Sequence, residues 1–170
     1  MLTQSNLKAL IHYNPETGLI TWLRRPNRPQ WSGRWEGREA GALNDKGYLK
    51  VTIDGVHWPA THLIWLYMTG EWPKHQIDHI DNRKLNNRWN NLRLATNSQN
   101  NMNKGLRSDN SSGHKGVHWD SWKGKWKAEI YVSGKKISLG VYVDKEEAAK
   151  AYTEASLKYH GEFRRPSPNC

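Results

Sequence analysis

The sequence predicts an α+β protein assembled from small modules, and three observations predict it. Only 36% of the 170 residues are hydrophobic, too few for one large core, so smaller units with cores of their own are expected. The apolar pattern alternates between a period of two and a helical period, which places short strands among helices. A Gly/Ser/Asn-rich stretch at 103–113 separates a front portion, 1–102, from a regularly patterned tail, 114–165.

The front portion reads in order. Residues 3–12 carry Leu7, Leu10 and Ile11 at helical spacing behind Thr3 or Ser5 as cap, which predicts a helix. The run NPETG at 14–18 is a turn signal, and 19–23 is a strand. Residues 24–38 (RRPNRPQWSGRWEGR) have no period and read as a solvated loop. Guanidinium beside indole also grips phosphates and stacks on bases, so Arg24, Arg25, Arg28, Arg34 and Arg38 are candidate nucleic-acid contacts. Residues 47–53 alternate like a strand, Asp54-Gly55 turns the chain and 56–59 returns. A buried helix at 61–68, ended by Gly70 and Pro73, completes an α/β module.

Chemistry concentrates at 75–101, HQIDHIDNRKLNNRWNNLRLATNSQNN. Apolar alternation around Asp78 gives a short strand, 91–95 a second, and Thr96 or Ser98 caps a following helix. A hard cation such as Mg²⁺ takes a carboxylate and other oxygen ligands, keeps several waters and is completed by substrate phosphate. Asp78 and the side-chain oxygen of Asn100 supply two such ligands from opposite sides of the hairpin. His79, one residue further along the strand, points to another side and is available as a base on water. The structural alternative is an Asn-rich loop whose Asp and His merely cap turns.

This stretch resembles the HNH nucleases, in detail the HNH homing endonucleases of bacteriophages. The resemblance rests on Asp78-His79, on Asn91-Leu92-Arg93 beginning twelve residues after the histidine, and on Asn100 nine further on. The run YNPETGLITW near the start is similar to the opening of many phage members. The resemblance implies Asp78 as metal ligand, His79 as general base, Asn91 as the asparagine bracing the loop and Asn100 as second metal ligand. The family's final His is Asn here, as in many phage members. Mg²⁺ is the implied cofactor, with Mn²⁺ or another divalent cation as alternatives, and the implied products carry 5′-phosphate and 3′-hydroxyl ends.

In the tail, GVHW, KWKAEIYV and KKISLGVYV predict three strands with turns at Gly124 and Ser133-Gly134. A helix from 144 to about 159 is then expected to present Ala148, Ala149, Ala151, Tyr152, Ala155 and Leu157 to the sheet. This module resembles the plant Apetala-type (ethylene-response-factor) DNA-binding domain. The match covers Gly116-Val117, Trp122, Lys125-Trp126, Ala128-Glu129-Ile130, Leu139-Gly140, Glu146-Glu147-Ala148-Ala149 and Ala151-Tyr152. The resemblance implies a sheet that enters the major groove of duplex DNA. His118 and Tyr131 stand where that family has arginines, so its base contacts do not transfer. Lys115, His118, Trp119, Lys123, Lys125, Lys127 and Lys136 are the candidate contacts instead, with Arg93 from the nuclease hairpin.

Charge agrees with a polyanionic partner. The chain carries a formal +10, with a pI of about 9.8, and such a balance attracts nucleic acid. Residues 101–143 alone hold eight Lys and Arg against three acids. No apolar run is long enough to span a bilayer, no signal segment opens the chain, and the single cysteine, Cys170, excludes both a disulfide framework and a cysteine zinc site within one chain.

The expected protein is therefore a ββα-metal (HNH) nuclease hairpin preceded by a small α/β module and followed by a three-stranded sheet plus helix DNA-binding domain. It cleaves double-stranded DNA in the cytoplasm, the host's if phage-encoded, as a monomer or weak dimer on DNA, with no membrane and no small-molecule cofactor. The alternative is a non-catalytic DNA-binding regulator built on an inactive HNH scaffold.

Overall fold

The computed structural model describes residues 2–106 and 108–164. Arg107, Arg165 at the end of the expected tail module, and Cys170 lie outside the described residues. The chain divides into two compact units, Met1–Ala95 and Thr96–Cys170. That division falls seven residues before the boundary read from the sequence at 102/103.

The first unit begins with α1 (Gln4–Lys8), whose cap Thr3 accepts the Asn6 N–H on its hydroxyl. The helix is shorter than the expected 3–12. Ile11 and Tyr13 belong instead to β1 (Ile11–Tyr13), which pairs antiparallel with β2 (Ile20–Trp22) in the register Ile11↔Trp22, Tyr13↔Ile20. Strand pairing wins there because the turn at 14–18 brings both strands together with their apolar sides facing one core. Asn14 holds that turn by accepting the N–H groups of Glu16 and Thr17 on its side-chain oxygen.

The Arg-rich stretch is not a plain loop. It contains α2 (Pro29–Trp35), with proline in the first turn, where no amide donor is required. Ser32 is buried in it; its hydroxyl donates to the Arg25 carbonyl and accepts the Arg25 amide. Trp31 meets Trp22 edge to face, ring centroids 5.2 Å apart. The side-chain spacing of this short helix is hidden by its Pro and Gly content, which is why the sequence reads as aperiodic.

A second antiparallel sheet runs β3 (Ala42–Leu43), β4 (Leu49–Ile53), β5 (Val56–Pro59) in that order, and only the two-residue β3 was absent from the expectation. Helix α3 (Ala60–Thr69) buries Leu63, Ile64 and Leu66 against α1, β4 and β5. Each such side chain contributes roughly 1.5–3 kcal/mol relative to exposure. The hairpin of β6 (Gln76–His79) and β7 (Leu92–Ala95) closes the unit, and Leu92 and Ile77 join its core.

The second unit opens with α4 (Asn97–Asn103), capped as expected by Thr96 in a reciprocal capping box with Gln99. A flexible linker over 103–113 is not what the described residues show. Asn103 ends α4 fully buried, and Ser112 is 2% exposed with its hydroxyl 2.7 Å from the Val117 carbonyl. Asn110 accepts the Gly113 amide at 2.7 Å. The same Asn and Ser content that reads as linker here makes side-chain-to-backbone turns.

Strands β8 (Val117–Asp120), β9 (Lys125–Val132) and β10 (Lys135–Tyr142) form one antiparallel sheet in the order β10-β9-β8. Helix α5 (Lys145–His160) lies on one face. Val117, Ala128 and Ala148 are its fully buried centre, with Trp126, Leu139 and Tyr152 around them. Asp144 caps α5 by accepting the Glu146 and Glu147 amides.

Gly116 is a point of close approach. Its φ is +70°, and a β-carbon there would overlap the Tyr152 ring and lie 2.5 Å from the Glu129 carbonyl oxygen. Gly116→Ala should therefore cost at least ~2 kcal/mol from backbone strain and overpacking combined. Thermal unfolding followed by near-UV circular dichroism checks this; an unchanged melting temperature would mean α5 is not seated on the sheet at Gly116.

Candidate active site

The hairpin register sets the site. Asp78 lies opposite Arg93 and His79 opposite Leu92. Alternation along β6 sends the Asp78 and His79 side chains to different faces, and each is 6% exposed. On its face, the Asp78 carboxylate receives two donors from one guanidinium, Arg93 Nε at 3.0 Å and Nη2 at 2.9 Å, both on Oδ2. Arg93, expected to contact DNA, donates here to Asp78. A carboxylate shielded from water needs such donors in place of its lost hydration.

On the other face, His79 Nε2 lies 3.0 Å from the side-chain oxygen of Asn87, within hydrogen-bond distance. The Tyr48 ring stands 6.1 Å from the imidazole, tilted by 32°. The Lys84 ammonium lies 5.1 Å from the centre of the Tyr48 ring and donates to the Lys46 carbonyl. Asn87 and Tyr48 were not singled out by the sequence. The Asn-rich text of the loop was the one available signal, and it does not say which asparagine turns inward.

Asn91 braces the loop between the strands with three side-chain hydrogen bonds. Its side-chain oxygen accepts the Asp81 amide at 3.0 Å, and its Nδ2 donates to Asp81 Oδ1 at 2.9 Å and to the Asn86 carbonyl at 2.7 Å. Its own carbonyl accepts the Ile80 amide. Burial pushes the Asp81 carboxyl up, but hydrogen bonds from Asn86, the Arg83 amide and Asn91 outweigh this and hold it below the usual range. Asp81 is therefore a structural anion at the loop's centre, another residue the sequence reading passed over.

Asn100 lies on α4, in the second unit, half-buried. Its backbone takes part in the regular helix ladder, accepting the Lys104 amide. Among the described residues no group of three or more His, Cys, Asp or Glu side chains could hold a metal. The Asp78 carboxylate of the first unit is an oxygen donor of the kind a hard cation takes while it keeps its waters and shares substrate phosphate.

The basic candidates separate into two groups. Arg24, Arg28, Arg34 and Arg38 are exposed. Arg25 is largely buried: its side chain is 10% exposed, 4.2 Å from the Trp31 ring and 5.0 Å from the Trp22 ring, with Asp54 at 3.8 Å. Burial lowers its pKa, offset in part by Asp54.

In the second unit, Lys115 is likewise structural. Its ammonium donates to the carbonyls of Asn101, Met102 and Lys104 at 3.2, 2.6 and 2.8 Å, so all three hydrogens close the C-terminal end of α4. Trp119 pairs with Trp126 on the α5 side of the sheet, not on the outer face. The outer face carries His118, Lys125, Lys127, Tyr131 and Lys136 around a nearly buried Glu129. Burial raises the Glu129 carboxyl, while bonds from Lys127 and Lys136 bring it below the usual range. At the β8–β9 tip, Lys123 and Trp122 are exposed, Trp122 by 98%, and Asp120 fixes the turn by accepting both their amides.

A family model described as HNH endonuclease matches residues 59–102, the segment from α3 through α4. Protein 3.8 of Escherichia phage T7 is 33% identical over 109 residues, 63% of this chain and 89% of that protein. Uncharacterized HNH endonuclease L560 of Acanthamoeba polyphaga mimivirus is 38% identical over 91 residues, 54% of this chain and 46% of that protein. The chain thus spans about half the length of the mimivirus protein. No solved structure matches the chain significantly. The hairpin with Asp78, His79 and Asn91, the matched segment that contains it, and the extent of the phage likeness lead to one conclusion: the chain belongs to the family of HNH DNA endonucleases.

Proposed function

We propose that the protein is a metal-dependent endonuclease of phage homing type that nicks or cuts duplex DNA, with targeting by the C-terminal sheet. The observation that carries the reading is the adjacent pair Asp78 and His79 on β6, next to a loop that Asn91 holds by three side-chain hydrogen bonds. In this reading His79 removes a proton from a water that attacks the phosphorus in line with the leaving 3′ oxygen. Asp78 would hold the divalent ion, with Asn100 as its second protein ligand. When bound, the ion supplies positive charge for the phosphoryl oxygen and the leaving oxygen. Arg93 keeps the Asp78 carboxylate aimed. One such site cuts one strand, and a double-strand break requires two protomers or two visits.

The outer face of the second unit supports the targeting role. Basic side chains and Tyr131 share that face, and the fully exposed Trp122 projects from its hairpin tip between Asp120 and Lys125. An indole without cover in water is costly unless it meets a partner, and stacking or groove contact is its use on a basic surface.

The test is affinity for duplex DNA across a salt series. Lys123, Lys125 and Lys127 changed together to Gln should flatten the slope of log affinity against log salt by up to about 0.9 for each phosphate no longer neutralised. Lys115 is excluded from this set because its replacement would loosen α4. Equal slopes would show that the sheet does not touch the DNA backbone, and the targeting role would be withdrawn.

A further inference from the structure

We infer that Asn87 is a positioning residue that fixes the tautomer and the aim of His79, and that the turn at 14–18 locks Asn87 in place. The inference rests on the reading of His79 as the base. Asn87 is 3% exposed, and its side-chain oxygen is an acceptor only, so the imidazole nitrogen 3.0 Å away must carry the hydrogen. With Nε2 protonated, the lone pair falls on Nδ1, and Nδ1 becomes the atom that takes the proton from water. The opposite tautomer would set two lone pairs against each other in a buried contact and present an N–H where a base is required.

Asn87 is itself held from the far end of the sequence. The Tyr13 hydroxyl donates to the Asn87 carbonyl at 2.8 Å. Burial, and then Glu16, push that phenol up to about 12, so it remains a donor through neutral pH. The Trp89 amide donates to the Pro15 carbonyl at 3.0 Å. Gly18, with φ +78°, lets the two backbones touch: a β-carbon there would sit 2.6 Å from the Asn87 carbonyl carbon and 2.7 Å from the Arg88 nitrogen. The brace thus comes from residues outside the matched segment 59–102. The N-terminal hairpin is part of the catalytic apparatus and not an appendage to it.

The direct measurement is the ¹⁵N spectrum of the wild-type imidazoles at a pH where His79 is neutral, with the His79 signals identified by their loss in His79→Ala. The expected pattern is Nε2–H with Nδ1 unprotonated. An Nδ1–H pattern overturns the inference, and this readout needs no altered fold. Asn87→Ala should mix the tautomers and slow cleavage on the order of 10²-fold, as a misaimed base does, with DNA and Mg²⁺ affinities unchanged. Asn87→Asp keeps an acceptor oxygen in the same place and should restore the single tautomer and most of the rate. Gly18→Ala, remote from the imidazole, should reproduce the Asn87→Ala loss. Wild-type rate in Asn87→Ala, or slow cleavage with an unmixed Nε2–H tautomer, contradicts the assignment. If His79→Ala itself cleaves normally, it is the reading of His79 as base that fails. An inactive His79→Ala beside an Nδ1–H wild type removes only the role of Asn87.

Discussion

His79→Ala should cleave DNA on the order of 10²–10⁴-fold more slowly than the wild type, while binding DNA about as well. The asymmetry follows from the site. Removing the imidazole takes away the proton acceptor but leaves Asp78 with Arg93, and Asn91 with Asp81, in their present bonds. The fold should hold, since the Asn91 bonds and the β6–β7 pairing that shape the loop do not involve the imidazole. Single-turnover cleavage measured beside equilibrium binding separates the two effects. A normal rate would mean that another group activates the water.

Asp78→Asn should lose more than ~10²-fold in metal-dependent cleavage, because even the outer-sphere partners of a metal are worth 10–100-fold and Asp78 supplies the charge itself. Asn keeps the volume and one acceptor oxygen for Arg93, so the hairpin should survive. Asp78→Ala is a different experiment. It removes the carboxylate on which two Arg93 donors rest in a site 6% exposed, and breaking such a buried pair costs about 3–5 kcal/mol. Denaturant unfolding of both variants beside their Mg²⁺-dependent rates distinguishes these losses. Equal stability in all three proteins would mean that the Asp78–Arg93 pair holds nothing together.

These expectations show which parts of the molecule are legible in sequence. The placement of Asp78, His79 and Asn91 was readable because a short hairpin fixes it locally: strand alternation separates the first two, and the third immediately precedes the return strand. The helix start was readable to within Thr96 or Ser98, and the capping box with Gln99, three residues on, selects Thr96. The intramolecular partners of Arg25, Arg93 and Lys115 were not readable, because composition gives a charge but not its partner. Tryptophan faces, a cross-strand carboxylate and three helix-end carbonyls claimed them. Only the folded chain decides this.

The same distinction explains the elements. Strands β4, β5, β6, β7 and the three of the second unit's sheet follow their alternation. Leu10 and Ile11 fit a helix as well as a strand, and the pairing Ile11↔Trp22 decided for the strand. Helix α2 escaped because its stabilising contacts, Ser32 on the Arg25 backbone and Trp31 on Trp22, are tertiary. Asn87 escaped for a related reason. It is one of several asparagines in the loop, and its selection depends on Tyr13 and Gly18, which lie far earlier in the chain.

The measurement that bears most directly on metal-dependent cleavage is nicking of supercoiled plasmid by the full chain, with Mg²⁺, with EDTA, and with Asp78→Asn in Mg²⁺. Open-circular product is expected only from the wild type with Mg²⁺, with an unchanged melting temperature on adding EDTA, since the ion serves catalysis and not the fold. Equal nicking in EDTA, or by Asp78→Asn, would contradict this mechanism, as would no nicking with Mg²⁺, Mn²⁺ or any other divalent cation.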